Sequence, residues 1–179
     1  MEKILTHYMQ ENRCRMAETV TTKMIQFKIN DINCETKAGT TVIEAADRAG
    51  IYIPRFCYFP EQLSRPANCR MCLVEVENAR KPLPACITEI SEGMHIKTQS
   101  TITLNAQRSV MEFLLVNHPL NCPICDQGGE CSLQDIAMGF GTGVSRYNKP
   151  KRAVKDEDLG PLISSDMTLC IHCTRCVRF

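Results

Sequence analysis

The sequence lacks several features that would place it in a specialised class of protein. Its 21 basic and 20 acidic residues leave a net charge of +1, so no basic excess favours nucleic acid or an anionic membrane as a partner. No stretch approaches the run of about 20 apolar residues that crosses a bilayer, and we predict no direct membrane span. With 179 residues, 44% of them hydrophobic, the chain suits one or two soluble domains.

A recognisable targeting segment is also lacking at the amino terminus. Residues 1–7 have no apolar core of the kind that a secretory signal requires. Residues 1–23 carry Glu2, Glu11 and Glu18 among their basic residues, whereas transit peptides are poor in acidic residues. We therefore expect a reducing compartment, in which thiols bind metal or do redox work rather than form disulfides.

The pattern of apolar residues predicts an α+β roll in the first half of the chain. Residues 24–29 and 32–36 are the arms of a hairpin, and 73–77 and 94–98 are further strands. Between them, Thr41 and Glu44 form a capping box and Gly50 is a helix stop. The predicted buried face of this helix comprises Val42, Ala45, Ala46 and Ala49.

Two helices are predicted in the second half. The first covers residues 101–117, with Ala106, Val110, Phe113 and Leu114 on its buried face, and a short one lies near 133–138. We divide the chain into an extension (1–23), a first cysteine-containing domain (24–100), a small helical domain with Cys and His (101–143), and a charged connection leading to a last cysteine segment (144–179).

What the chain has in abundance is cysteine, 12 residues in all. The first group comprises Cys57, Cys69, Cys72 and Cys86. Two residues between cysteines let two thiolates converge on one metal centre, and four thiolates suit a [2Fe–2S] cluster. The first gap is longer than the C-x4-C of plant-type ferredoxins. A structural zinc site accepts the same four thiolates and remains the alternative.

The second group comprises His118, Cys122, Cys125 and Cys131. Three thiolates leave one corner of a [4Fe–4S] cluster open, which an imidazole nitrogen can fill. A neutral imidazole in place of an anionic thiolate should raise the reduction potential, as in histidine-ligated Rieske centres. Zinc held by three thiolates and one imidazole is again the alternative.

The third group, Cys170, Cys173 and Cys176, has the even C-x2-C-x2-C spacing that is typical of [4Fe–4S] sites. A fourth ligand is missing, because only three residues follow Cys176. The two remaining cysteines, Cys14 and Cys34, are predicted to be free thiols.

Five stretches of this sequence resemble one family, the large iron–sulfur subunit of NADH:quinone oxidoreductase, respiratory complex I. They are residues 54–58 (PRFCY), 68–75 (NCRMCLVE), 111–115 (MEFLL), 117–131 (NHPLNCPICDQGGEC) and 170–176 (CIHCTRC). The resemblance runs from about Met24 to the last residue. Family members continue far beyond this length, so we expect an amino-terminal part of such a subunit, whether a fragment, a truncated product or one half of a split gene.

The resemblance implies a ferredoxin-like [2Fe–2S] β-grasp roll, a small helical cluster-binding domain and the start of a second [4Fe–4S] domain. It implies a [2Fe–2S] cluster on the first group, a [4Fe–4S] cluster on the second, and a second [4Fe–4S] cluster begun by the third. Such a chain relays electrons from the flavin subunit towards quinone. The implied partners are the flavin subunit and a hydrophilic cluster-bearing subunit, and the implied location is peripheral, on the inner or cytoplasmic membrane, facing the matrix or the cytoplasm.

No substrate chemistry is expected on this chain, because it shows no nucleotide-binding glycine fingerprint and no catalytic triad. Arg55 and Arg70 flank ligands of the first cluster, where a cation would favour the reduced, more negative state; both also suit solvated surface positions. An iron–sulfur subunit of an NAD-linked hydrogenase or formate dehydrogenase is one alternative. A zinc-stabilised interaction module without a redox role is an alternative of another class.

Overall fold

The computed structural model describes residues 23–59 and 67–178. Strands β1 (Met24–Ile29) and β2 (Ile32–Lys37) form the predicted antiparallel hairpin. Asn30 and Asp31 make its two-residue turn with φ of 48° and 69°. These angles suit the turn types that match the twist of paired strands, and Asn and Asp tolerate them better than most residues. The predicted extension lies almost wholly outside the described residues.

Helix α1 (Val42–Arg48) follows the hairpin, as predicted. The Glu44 carboxylate accepts a hydrogen bond of 3.2 Å from the backbone N–H of Thr41, which is one half of the predicted capping box. Gly50 has φ of +72°, the left-handed conformation that ends helices. The predicted buried face needs one correction. Ala49 is exposed, because the helix has already ended there, and Ile43 is fully buried instead.

Three more strands complete a five-stranded mixed sheet. They are β3 (Leu73–Val76), β4 (Leu83–Pro84) and β5 (His95–Lys97). The strand order is β2-β1-β5-β3-β4, with β1 and β5 parallel and the other neighbours antiparallel. Strand β4 was not predicted, since two residues carry no alternation to detect. Helix α1 and the sheet share one core, in which Ile29, Val42, Ile43, Val74 and Ile96 are buried. The α+β class is confirmed.

Helix α2 (Thr101–Leu115) is also confirmed, and its predicted buried face is right only in part, since Val110 and Leu114 are partly buried. Phe113 is 79% exposed, whereas Thr103, Gln107 and Met111 are at most 1% exposed. The polar members of this face satisfy the backbone of the sheet. Thr103 Oγ1 accepts from the N–H of Glu75 (2.9 Å) and donates to Lys97 O (2.9 Å). Gln107 Nε2 donates to Leu73 O at 3.0 Å.

Replacing Thr103 with valine is expected to destabilise the chain by about 1 to 3 kcal/mol, because two partly buried backbone groups lose their partner while the shape is conserved. The midpoint of thermal unfolding of the cluster-loaded chain, followed by circular dichroism, measures the change. Thr101→Val, at the exposed first position of the same helix, is the matched control. Equal midpoints for the two variants would show that these hydrogen bonds do not stabilise the fold.

The rest of the chain is mostly irregular. It contains a 3₁₀ turn (Cys122–Ile124), helix α3 (Ser132–Phe140) where a short helix was predicted, and the four-residue helix α4 (Arg175–Arg178). Leu133 and Ile136 of α3 pack with Met111 of α2 and with Phe56 and Met71 in a second apolar cluster. Within residues 23–59 and 67–178, no helix is long and apolar enough to cross a membrane.

Candidate iron–sulfur centres

The sheet brings the first cysteine group together. Cys72 directly precedes β3 and Cys86 follows β4, and these strands pair Leu73 with Pro84. The N–H of Ala85 donates to Cys72 O at 2.9 Å, which continues the pairing to the cysteines. All four side chains of the group are withdrawn from solvent: Cys57, Cys69, Cys72 and Cys86 are 3%, 6%, 1% and 0% exposed.

Hydrogen bonds between the thiols dominate the electrostatics of this site. A hydrogen bond with the Cys57 thiol raises the pKa of Cys69, and burial raises it further. A bond with the Cys86 thiol lowers the pKa of Cys72 against the effect of burial. For Cys86, a bond with Cys57 lowers the pKa, but its bond with Cys72 and burial prevail and raise the pKa to about 11. These shifts couple Cys57 with Cys69 and Cys72 with Cys86 most strongly, with a further coupling between Cys57 and Cys86.

The structure does not show the predicted ligand sets in coordinating geometry. Across the part of the chain that the structure describes, no set of three or more Cys, His, Asp or Glu side chains is arranged to hold a metal ion. A [2Fe–2S] cluster is held by four thiolates, and two adjacent pairs can supply two of them to each iron. Arg70, between Cys69 and Cys72, has φ of 58°, and this left-handed residue turns the chain between the two pairs.

The second group is arranged around a tight loop. The N–H of Cys125 donates to Cys122 O at 3.3 Å, and the N–H of Gly128 donates to Cys125 O at 2.9 Å. A Cβ on Gly128 would lie only 2.5 Å from Cys122 O and 3.1 Å from Cys125 O. Cys131 follows as the N-cap of α3. The glycine thus lets the backbone wrap closely, as a segment that surrounds a compact cluster must.

His118 lies beyond the end of α2 and is half-buried. Burial and the nearby charge of Lys151 lower the pKa of its imidazole, and Asp166 opposes them. The ring is therefore neutral at neutral pH, which is the form that coordinates a metal. The donor set of one neutral imidazole and three thiols fits the predicted [4Fe–4S] group.

Gly128→Ala is expected to lower the iron bound at the second site by more than half, because the added methyl overlaps the carbonyl of Cys122. Iron and acid-labile sulfide per chain, measured after anaerobic purification, give the loss. Gly139→Ala is the control, since a Cβ at Gly139 meets nothing within 4 Å and alanine suits the helix in which it lies. A Gly128→Ala variant with full iron content would contradict the proposed wrapping.

The third group lies beside the first. The N–H of His172 donates to Cys170 Sγ at 3.4 Å, and Asn68 Nδ2 donates to Thr174 Oγ1 at 2.7 Å. Amide hydrogen bonds to sulfur are one means by which proteins tune iron–sulfur centres. Cys173 packs against the cluster of side chains that contains Cys57 and Cys69.

One cavity of about 540 Å³ touches all three groups. Its lining includes Cys69, His118 and Cys170, one predicted ligand from each group. Arg70 and Arg152 contribute cationic side chains to the same wall. The sequence predicted each group separately. The fold brings His118 to the same cavity as Cys69 and Cys170, whereas Cys122, Cys125 and Cys131 do not line it.

The two arginines singled out from the sequence differ in their surroundings. Arg55 donates to both Asp47 carboxylate oxygens, at 2.6 and 2.7 Å, and lies near the rings of Tyr52 and Tyr58. The hydrogen bond with Asp47 raises its pKa. Asp47 offsets the charge of Arg55, which weakens the expected effect on the first cluster. Arg70 is exposed and stays a predicted neighbour of that cluster.

The remaining predicted thiols are readily placed. Cys34 is half-buried on β2, and all eleven cysteines in the described ranges are free of disulfide bonds. Cys14 lies outside these ranges.

Sequence reasoning missed the contact of Asn68 with Thr174, because residues 106 positions apart leave no local pattern.

Comparison with known families defines the class of protein. Residues 22–101 match the family described as a 2Fe-2S iron-sulfur cluster binding domain. Residues 107–146 match the NADH-ubiquinone oxidoreductase-G iron-sulfur binding region, and 160–179 match the ferredoxin-like domain of NADH-quinone oxidoreductase subunit 3. The chain is thus built from iron–sulfur cluster-binding regions.

Curated relatives give the particular family. The chain is 51% identical over 156 residues to the NADH-ubiquinone oxidoreductase 75 kDa subunit of Reclinomonas americana, covering 87% of this chain and 22% of that protein. It is 52% identical to an NADH-quinone oxidoreductase subunit of Rickettsia bellii, with coverage of 87% and 23%. The predicted resemblance to the amino-terminal part of the large iron–sulfur subunit of NADH:quinone oxidoreductase is confirmed.

A solved structure supports the same fold. The crystal structure of NAD+-reducing [NiFe]-hydrogenase in the H2-reduced state contains a chain that matches with a TM-score of 0.76 and 29% identity. The match covers 86% of this chain and 64% of that one. The chain spans less than a quarter of the length of its curated relatives, at 22% and 23%.

Proposed function

We propose that this chain is an electron-transfer module of an NADH:quinone oxidoreductase, relaying electrons from a flavin subunit towards quinone. The observation that carries this proposal is the first cysteine group, whose four thiols are all buried and two of which flank the paired strands β3 and β4. Its relatives are named as subunits of this oxidoreductase, which supports electron transfer over a purely structural role. The chain carries out no substrate chemistry of its own.

The proposed ligand sets follow the three groups. Cys57, Cys69, Cys72 and Cys86 hold a [2Fe–2S] cluster, and His118, Cys122, Cys125 and Cys131 hold a [4Fe–4S] cluster. Cys170, Cys173 and Cys176 begin a second [4Fe–4S] cluster, to which no fourth ligand is assigned. The proposed domain limits are those of the sequence analysis, at residues 24–100, 101–143 and 144–179.

The clusters supply one-electron transfer, and the residues of this chain set its conditions. Burial of the first thiol group excludes water from the sulfurs. The N–H of His172 donates to the Cys170 sulfur, which stabilises negative charge there. The apolar cluster of Phe56, Met71 and Met111 fills the space between the first group and α2 and keeps the surroundings at low dielectric.

The proposed partners are other subunits of the same complex, especially the flavin subunit and a hydrophilic cluster-bearing subunit. Peripheral association with the inner or cytoplasmic membrane through these subunits is part of the proposal, on the matrix or cytoplasmic side. The structural match favours a second candidate, the iron–sulfur chain of an NAD-linked hydrogenase. The higher identity to oxidoreductase subunits, 51% against 29%, favours the first.

The deciding experiment measures iron, zinc and acid-labile sulfide per chain after anaerobic purification, with EPR of the dithionite-reduced sample. Iron with matching sulfide, and signals of a [2Fe–2S] and at least one [4Fe–4S] cluster, is the expected result. Zinc without sulfide and no EPR signal would overturn the proposal and support a zinc-stabilised interaction module.

A further inference from the structure

The segment that follows α3 is fastened to the chain directly before His118. Lys151 Nζ donates to Leu115 O at 2.7 Å and to Val116 O at 3.1 Å. The N–H of the next residue, Arg152, donates to Asn117 Oδ1 at 3.1 Å. Two consecutive residues of the connection thus hold the three residues that lead into the predicted ligand.

These contacts lie at the negative end of α2. The last carbonyls of a helix carry a partial negative charge, which a nearby cation stabilises. The last turn of α2 contains no basic residue of its own. Lys151, which lies 36 residues after Leu115 and 35 residues after Val116, supplies the missing cation.

The charge at this point matters to a cluster held by His118. An electron added to the cluster is disfavoured by the negative helix end and favoured by an ammonium group close to it. Lys151 is exposed, so its effect is screened by salt.

We propose that Lys151 is a positioning residue for the His118 cluster: it fixes the turn that presents His118, and its charge offsets the end of α2. This inference rests on the proposed function. It assigns to Lys151 an upward shift of the cluster's reduction potential, which weakens as the ionic strength rises.

The test compares Lys151→Met, Lys151→Arg and the unchanged chain, each with its clusters, by EPR-monitored redox titration at low and high salt. Lys151→Met keeps the length of the side chain and removes the charge. It is expected to lower the midpoint potential of the His118 cluster, with a smaller difference from the unchanged chain at high salt. Lys151→Arg is expected to keep the original potential. Lys149→Met, at an exposed lysine of the same connection, is the control and should change nothing.

Every outcome decides the inference. A Lys151→Met potential equal to that of the unchanged chain, or a Lys151→Arg variant shifted like Lys151→Met, would overturn it. If Lys151→Met fails to retain the iron of the second site, retention in Lys151→Arg supports the inference and loss in both overturns it. Absence of iron and sulfide from the unchanged chain would instead contradict the proposed function, so the two failures are distinguishable.

Discussion

We expect Cys72→Ser to abolish the [2Fe–2S] cluster, with a loss of about two iron ions per chain. Cys72 is 1% exposed, and its thiol bonds with Cys86 while its carbonyl accepts from Ala85. Serine keeps the size of the side chain but supplies an oxygen, a poorer ligand for iron than thiolate sulfur. Iron and sulfide analysis, with loss of the [2Fe–2S] EPR signal, measures the effect.

The control for this experiment is Cys34→Ser. Cys34 is half-buried on β2 and is not among the proposed ligands, so its replacement should leave iron, sulfide and both EPR signals intact. The [4Fe–4S] signal should survive in both variants, because the second group lies on separate elements. Full iron content in Cys72→Ser, or an equal loss in Cys34→Ser, would contradict the assigned ligand set.

The elements around the first group were predictable because their signals are local. Asn30 and Asp31 mark the hairpin turn, and Thr41 with Glu44 marks the start of α1. The buried face of α2 was not predictable in the same way. Its apolar residues suggested a face that includes Phe113, but the sheet presents backbone groups at this point. Thr103 and Gln107 satisfy those groups, so hydrogen bonding decided the orientation of the helix.

The ligand groups themselves could be predicted from spacing, since C-x2-C hooks are short-range features. The meeting of Cys69, His118 and Cys170 at one cavity could not. It depends on pairing of β3 with β4, on the contact of Asn68 with Thr174, and on Lys151 reaching the end of α2. The side-chain contacts join residues that are far apart in sequence. Strand β4 has too few residues to give a pattern. Only the fold brings them together.

The second large effect is expected at His118. In His118→Cys, a thiolate replaces a neutral imidazole, and the cluster gains one negative charge in each redox state. Adding an electron to the more negative cluster is less favourable, so the midpoint potential should fall by on the order of 100 mV, in the direction that separates thiolate-ligated from histidine-ligated centres. The iron content should stay unchanged, because the loop held by Gly128 is intact. EPR-monitored redox titration measures the shift.

His118→Ala separates a ligand from a mere neighbour. Without a side chain that can coordinate, the fourth corner of the cluster is open, and we expect loss of one iron or of the whole cluster at this site. His95→Ala is the matched control, because His95 lies on β5, contacts Glu77 at 2.9 Å and is not among the proposed ligands. A His118→Ala chain with full iron and an unchanged potential would remove His118 from the ligand set. Since His118→Cys changes the charge and His118→Ala removes the ligand, only true coordination predicts a lowered potential in the first and lost iron in the second.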